Sequence, residues 1–457
     1  MAEPEQLLYS GLNLTFGEVM AGIHRSPRGL RIACNHAGLT HFGGIHFFHE
    51  FLRMLHARQF LARHLDYRRR NRRYSVSQII LALVYPIVLG LDRIETASFL
   101  RSNGTFQYLT GLQSFPDSQT LRRFLLHAPP RLWEQLQGIN DRLLQNFIHL
   151  PDHRSRLILD LDSTVVTTFG HQDGAEIGYN PRYRGKRSYT PLLCIEANSC
   201  YLWDAELRAG NAGTWDGSVE LLDTCFANVP PDIREIRARA DAGFAFNPVL
   251  DALESQSAQY AVVARLTPAF RSLLPGLRYA PVNRAWEMAD FEHRSHGWRK
   301  ARRFVVARRF LPQEEAQPTL FTLGRYVYRA WVTDLPLTPA GVWHFYDGRA
   351  AMERRIRELR EDFALPKIPT RSFAANALYL EIIRLAYNLV TAFQRTCLER
   401  NWQSFTLQKL RFNLFLLPGE ITRPQNRPIL RLKDSPFVEK TAHQILAKTQ
   451  KLKSLQG

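Results

Sequence analysis

The stretch Arg156–Gly170, RLILDLDSTVVTTFG, is where the chain changes texture. Its run of leucine, isoleucine and valine reads as a buried strand, and Asp160 and Asp162, two apart, point to one face of it. Burying one unpaired carboxylate is costly and burying two on the same face is costlier, so the pair calls for a cation. Downstream, YTPLLCIEAN (189–198) and CYLWDAELRAG (200–210) continue the β-rich pattern. A helix, TWDGSVELLDTCFANV (214–229), follows. IREIRARADAGF (233–244) then reads as a strand ending in an acidic turn, NPVLDALESQ (247–256) as a helix, and QYAVVARL (259–266) as another strand. Three successive strands followed by alternating helix and strand describe an α/β core with a mixed sheet.

Working outward, residues 266–345 break that rhythm with short β-like pieces, FVVARRF and YVYRAWVTDL, set among proline, glycine and charge. They read as an inserted β-rich subdomain. The chain then returns to the core through the helix YDGRAAMERRIRELREDF (346–363) and its long apolar companion LYLEIIRLAYNLVTAFQRTCL (378–398). On a continuous helical projection Tyr346, Arg349, Glu353 and Arg360 share one stripe. Met352, Ile356, Leu359 and Phe363 form a core-facing stripe beside it, and Glu358 points to solvent. Upstream of the strand, residues 76–150 are helical almost throughout. IETASFLRSN, TFQYLTGL and PDSQTLRRFLLHA read as three short helices, the last capped by Asp117 or Ser118 and presenting Ser118, Gln119, Arg122 and Arg123. That is the outline of a helix-turn-helix unit with its recognition helix last. Residues 1–75 read as an N-terminal arm, for which the resemblance named below implies dimerisation and DNA-end binding, and 403–457 as a basic tail interrupted by RPQNRP. The core itself divides into 151–265 and 346–402 around the insertion.

Across 457 residues, 60 Lys and Arg outweigh 42 Asp and Glu, a formal net charge of +18. Such an excess attracts a polyanion, and it is clustered rather than spread. Arg68, Arg69, Arg70, Arg72 and Arg73 make one run, Arg182, Arg184, Lys186 and Arg187 a second, and Arg299, Lys300, Arg302, Arg303, Arg308 and Arg309 a third. Nucleic acid, DNA or RNA, is the partner this charge pattern leads one to expect, and the resemblance drawn below makes it double-stranded DNA. The 5 cysteines lack a CxxC pair, which argues for a reducing compartment and against a disulfide framework or zinc ribbon. Cys34 lies near His36, His41, His46 and His49 without the paired spacing of a tetrahedral site. No apolar run is long enough for a membrane span, and MAEPEQLLYS has no signal-peptide pattern, so a cytoplasmic, nucleoid-associated protein with no membrane partner and no small-molecule cofactor is expected.

Asp162, with Asp160 as an additional carboxylate, Asp241 at the end of its strand, and Glu353 on the later helix supply the oxygen ligands that hard divalent ions need. Two such ions about 4 Å apart activate an oxygen nucleophile on one side of a phosphate and stabilise the leaving oxygen on the other. The order DST, RADAGF and Tyr346-x2-Arg349-x3-Glu353, after a β-rich insertion, resembles bacterial insertion-sequence transposases of the DDE type. GYNPRYRGKRSYTPLLC and LRAGNAG make the chain similar to the insertion-sequence thirteen-eighty family in particular. The resemblance spans about 155–400 strongly and extends more loosely through CNHAGLTHFGGI.

The resemblance implies an RNase H-like catalytic core with an inserted β-domain, preceded by a helical DNA-binding region. It also implies Mg²⁺-dependent cleavage and joining at transposon ends, with two ions and Mn²⁺ as a substitute. Position by position it makes Asp162, Asp241 and Glu353 the catalytic and metal-binding triad, Asp162 being preferred to Asp160 because it directly precedes Ser163 and Thr164. Tyr346 and Arg349 match a phosphate-contacting pair, and Arg360 stands where the family signature has lysine. Arg182, Arg184, Lys186 and Arg187 are expected to track phosphates, and Trp298 or Trp286 to stack on a flipped base. Arg69 and Arg72 join the helix-turn-helix residues in end recognition. A homodimer on DNA is implied because two ends are held together. The rival readings are a nuclease that cuts without joining and a DNA-binding regulator with a decayed site.

Overall fold

The computed structural model of the chain describes residues 38–68, 73–148, 156–312, 322–323, 325–452 and 455. Arg69, Arg72, Cys34 and His36 lie outside the described residues. Backbone contacts divide the chain into Met1–Gly38 and Leu39–Gly457, and every element below belongs to the second unit.

The strands of the main sheet are β1 (Arg156–Ser163), β2 (Leu192–Glu196), β3 (Leu202–Glu206), β4 (Glu235–Ala240), β5 (Gln259–Val263), β6 (Ala280–Pro281), β7 (Trp286–His293), β8 (Arg302–Phe310), β9 (Thr322–Leu323) and β10 (Tyr326–Thr333). Their spatial order is β6-β7-β8-β10-β5-β4-β1-β2-β3, with β9 beside β10. β1, β4 and β5 are mutually parallel, while β2 and β3 run antiparallel to their neighbours. β2 and β5 read as apolar runs because both faces are covered. The strands of 266–345 are continuous with the core sheet. β10 pairs antiparallel with β5, Trp331 opposite Val263, and closes a backbone edge that β5 would otherwise expose.

Helix Phe373–Cys397 is the central support, with most of its side chains buried. It holds β3 by polar contacts: the Asn388 side chain accepts from Leu202 N and donates to Leu202 O, both at 2.9 Å. Fully buried Arg384 pairs with Asp141 at 2.8 Å, Asp204 at 3.1 Å and Glu381 at 3.3 Å, joining helix Pro130–Ile148, β3 and the central helix. Helix Val76–Leu89, started by a Ser75–Gln78 capping box, is buried on nearly all sides. Phe48 and Phe51, on helix Ile45–Met54, pack on Phe393.

The three short helices expected before the core are present as a turn at Ile94–Ala97 running into Ser98–Arg101, then Gly104–Leu109 and Ser118–Leu126. Asp117 is the cap of the last, accepting from Thr120 N at 2.7 Å. RPQNRP in the tail is the turn of a hairpin, Gly419–Thr422 with Ile429–Leu432. Cys194, Cys200, Cys225 and Cys397 are free thiols. Among the described residues no helix is long and apolar enough to cross a membrane.

One segment departs from its projection. Residues 339–361 form two helices, Pro339–Asp347 and Ala350–Glu361, meeting at Gly348–Arg349. A projection that runs one helix through this joint misplaces side chains on either side of it. Met352, Leu359 and Phe363 are buried as expected, but Arg349 is buried and Glu353 exposed, so the two do not share a facing. Glu358, expected in solvent, is 6% exposed. It pairs with Arg355 at 2.9 Å and accepts from Leu407 N at 2.9 Å, because the tail folds back over that side of the helix.

Candidate active site

β1 and β4 lie side by side in parallel, Asp160 in register with Arg239. The Arg239 guanidinium donates two hydrogen bonds to the Asp160 carboxylate, at 2.6 and 2.8 Å, and a third to Phe345 O at 2.8 Å. With Asp160 at 1% exposure and Arg239 at 4%, the cation that Asp160 requires is supplied from within the fold. Burial still pushes the Asp160 carboxyl up, against the pull of Arg239. Arg239 was not legible as a partner from β1 alone. The signal was the Arg-Ala-Arg-Ala alternation of β4, which puts Arg237 and Arg239 on one face, where both guanidiniums also approach the Phe345 ring at 5.4 and 5.2 Å.

Asp162, two residues on, is half-buried at the end of β1. One carboxylate oxygen accepts from Ser163 N at 2.8 Å and the other pairs with Arg349 at 2.8 Å. Burial pushes its carboxyl up to about 6, Arg349 opposing the shift and the charge of Asp241 adding to it. Asp241 follows the last residue of β4 and caps a short turn, accepting from Gly243 N at 2.9 Å. Two carboxylates from the C-terminal ends of adjacent parallel strands thus repel each other, at the sheet edge where open α/β sheets bind ligands.

Arg349 is 7% exposed and also donates to Leu161 O at 3.1 Å, while its Nε is buried without a hydrogen-bond partner. Burial disfavours its charge, but Asp162, Tyr346, Asp241 and Asp160 outweigh that and raise its pKa. Half-buried Tyr346 bonds to Arg349, and burial raises its phenol pKa with help from Asp241 and Asp162. Tyr346, Arg349, Asp162 and Asp241 therefore form one electrostatic group. Arg360 is anchored nearby, donating to Thr164 Oγ1 at 3.0 Å and Val165 O at 3.2 Å in the turn after β1. Glu353 is exposed in the first turn of its helix. Among the described residues no group of three His, Cys, Asp or Glu side chains is arranged to hold a metal ion. The donors present fit a hard divalent cation at the two aspartates: they are all oxygen, and they repel. A three-carboxylate set requires Glu353 to come closer.

The other expected contacts divide. Arg182, Arg184 and Lys186 are exposed, whereas Arg187 bonds to Ala175 O at 2.9 Å and lies 3.5 Å from Glu176. Trp298 stacks on Phe304 with ring centroids 5.6 Å apart and Arg302 at 5.0 Å, and Trp286 packs edge-on against Trp343 at 4.9 Å. On helix Ser118–Leu126, Gln119 and Arg123 are exposed and Ser118 is half-buried. Arg122 is tied to Glu95 and to Pro369 O. His49 bonds to Tyr85 at 2.8 Å through Nδ1, and its ring stacks on His46 with centroids 6.4 Å apart.

Comparison with known proteins adds a family. No curated protein matches the chain. Among solved structures, a piggyBac transposase synaptic complex with hairpin DNA is similar at 13% identity and a TM-score of 0.44, over 83% of this chain and 81% of that one. The family model described as transposase DDE domain group 1 matches residues 26–454. With nearly its whole length matched, and with paired aspartates at the ends of adjacent parallel strands, the chain belongs to the DDE transposase domain family, group 1.

Proposed function

We propose that the chain is a DNA transposase of the insertion-sequence thirteen-eighty type. It binds the terminal inverted repeats of its element, hydrolyses phosphodiester bonds to free 3′-hydroxyls and joins those ends to target DNA. The observation that carries this reading is the Asp162–Asp241 pair, half-buried and mutually repelling at the ends of β1 and β4. The order β3-β2-β1-β4-β5, with β2 antiparallel, supports an RNase H-like core. Asp162 and Asp241 would hold Mg²⁺, with Mn²⁺ as a substitute, and Glu353 would complete the set. Glu353 lies four residues beyond Arg349, which touches Asp162, but faces outward, so completing the set takes a rearrangement of the first turn of its helix. Bound divalent ions supply an activated oxygen nucleophile and stabilise the leaving oxygen.

The remaining roles belong to the chain. Arg349 holds the Asp162 carboxylate in place and offers its unpaired Nε–H to a phosphate oxygen. Tyr346 adds a hydroxyl beside it. Arg360 fixes the turn carrying Ser163 and Thr164. Two transposon ends require a homodimer on DNA, and the nucleoid is the place of action.

The test is an excision and joining assay: purified protein, Mg²⁺ and a plasmid carrying the DNA that flanks the gene. Asp162→Ala, Asp241→Ala and Glu353→Ala are run in parallel. End-specific cuts and joined products that vanish in all three variants are expected. Cutting without joining makes the chain a nuclease. Binding without cutting, even with Mn²⁺, leaves a DNA-binding regulator, the reading that the exposed position of Glu353 would then explain.

A further inference from the structure

Between β1 and β2 the chain makes a small flap of three strands, Val166–Thr167, Glu176–Ile177 and Arg187–Tyr189, the last in the centre. It begins four residues after Asp162, so its base lies within roughly 14 Å of that carboxylate. Asn180 pins its long loop from inside, donating to Thr167 Oγ1 and accepting from Tyr183 N, both at 3.0 Å. Outward it presents Phe169 and Tyr179, each 80% exposed, and Tyr183, 40% exposed. Phe169 and Tyr183 meet edge to face at 5.9 Å, and the Arg182 guanidinium lies 5.5 Å from the Tyr183 ring. Arg182, Arg184 and Lys186 are exposed, and among the described residues none makes an ion pair.

Exposed aromatic rings interleaved with unpaired cations are what a strand of unpaired nucleotides recognises: each base has a face to stack and each phosphate a charge to meet. A duplex hides its base faces and would use only the cations. Beside the flap, a cavity of about 330 Å³ is bordered by Thr167, Phe169 and Gln172. Of the cations that line it, Arg122 is paired with Glu95 and Lys367 with Asp92, while Arg93 is exposed at its rim. The Gln172 side-chain oxygen there is buried without a hydrogen-bond partner and can accept from a base amino group. The tryptophans of the β-rich region, by contrast, already stack on protein.

We infer that the Val166–Tyr189 flap binds single-stranded or flipped-out DNA next to the scissile phosphate, stacking its bases on Phe169, Tyr179 and Tyr183 while Arg182, Arg184 and Lys186 hold its backbone. This rests on the reading that the chain acts on DNA. The experiment compares binding of a blunt duplex with binding of the same duplex carrying an unpaired flank labelled with 2-aminopurine. The proteins are the full chain, the triple variant Phe169→Ala, Tyr179→Ala, Tyr183→Ala, and the milder Phe169→Leu, Tyr183→Leu pair, each checked for an unchanged melting temperature. Loss of affinity for the flanked DNA by roughly ten-fold per ring removed, loss of 2-aminopurine quenching and less than two-fold change on the blunt duplex are expected. Equal loss on both DNAs overturns the inference, as does no loss on either. Unaltered DNA binding with loss of a dimer assigns the rings to a protein interface and overturns it too. A wild-type chain that binds neither DNA defeats the proposed function itself, and the inference with it.

Discussion

Asp160 accepts two short hydrogen bonds from a buried arginine, whereas Asp162, on the same strand face, shares a half-buried edge with a second aspartate. Neutral isosteres separate the two roles. Asp160→Asn leaves Arg239 buried beside a group without charge, and breaking such a pair costs about 3–5 kcal/mol; a clear fall in melting temperature is expected. Asp162→Asn relieves repulsion with Asp241 but leaves buried Arg349 without its carboxylate, so the metal-free protein should lose less melting temperature than Asp160→Asn while cleavage drops by roughly 10³-fold or more, the scale on which losing a charge-stabilising group acts. Equal melting losses in both variants would refute the division. Glu353→Gln, at an exposed position, should leave melting unchanged and abolish cleavage. The Asp160–Asp162 spacing was legible in the sequence because strand period alone sets which side chains share a face. Which arginine each of them meets was not, because Arg239 arrives from 79 residues further along the chain and Arg349 from the later helix joint.

Helix Ile45–Met54 carries a pH-sensitive group at the scale of a single element. Burial, and then the neighbouring His46, lower the His49 pKa to about 4, Glu50 opposing and Arg53 assisting, while its Nδ1 meets the Tyr85 hydroxyl at 2.8 Å. Because the unfolded chain binds this proton more readily, the neutral ring contributes stability that is present above pH 6.5 and lost as pH falls towards 4. The full change is about 3 kcal/mol. His49→Gln keeps a polar partner for Tyr85 and should flatten melting temperature between pH 7 and 5 relative to wild type. An unchanged slope would show that His49 titrates normally. The motif LRAGNAG also finds its reason in an element. A Cβ on Gly210 would strike the carbonyls of Ser188 and Glu176, and one on Gly178 the carbonyl of Gly210. Gly210→Ala should cost about 1–3 kcal/mol and open the flap to limited proteolysis around Pro181–Lys186.

At the scale of the whole molecule, buried Arg384 holds three carboxylates from three elements. Burial pushes Glu381 up to about 7, against Arg384, and Asp204 is raised for the same reason. Arg384→Met removes the shared counter-charge of that knot and should destabilise the chain by about 3–5 kcal/mol, read as an early, less cooperative denaturant transition; a midpoint within error of wild type would refute it. Composition, strand and helix periods, caps and the clustered positive charge were set by local sequence, because propensity and side-chain period act over a few residues. For that reason the core strands, the long central helix and the acidic strand ends could be read directly. Tertiary structure alone decided the rest. It broke the 346–363 helix at Gly348–Arg349, buried Glu358 under the returning tail, joined the β-rich strands to the core sheet and gave Asp160 its arginine. Each of these depends on a partner distant in sequence, and a local pattern cannot tell whether a charge at a given spacing will meet water, a backbone amide or an opposite charge.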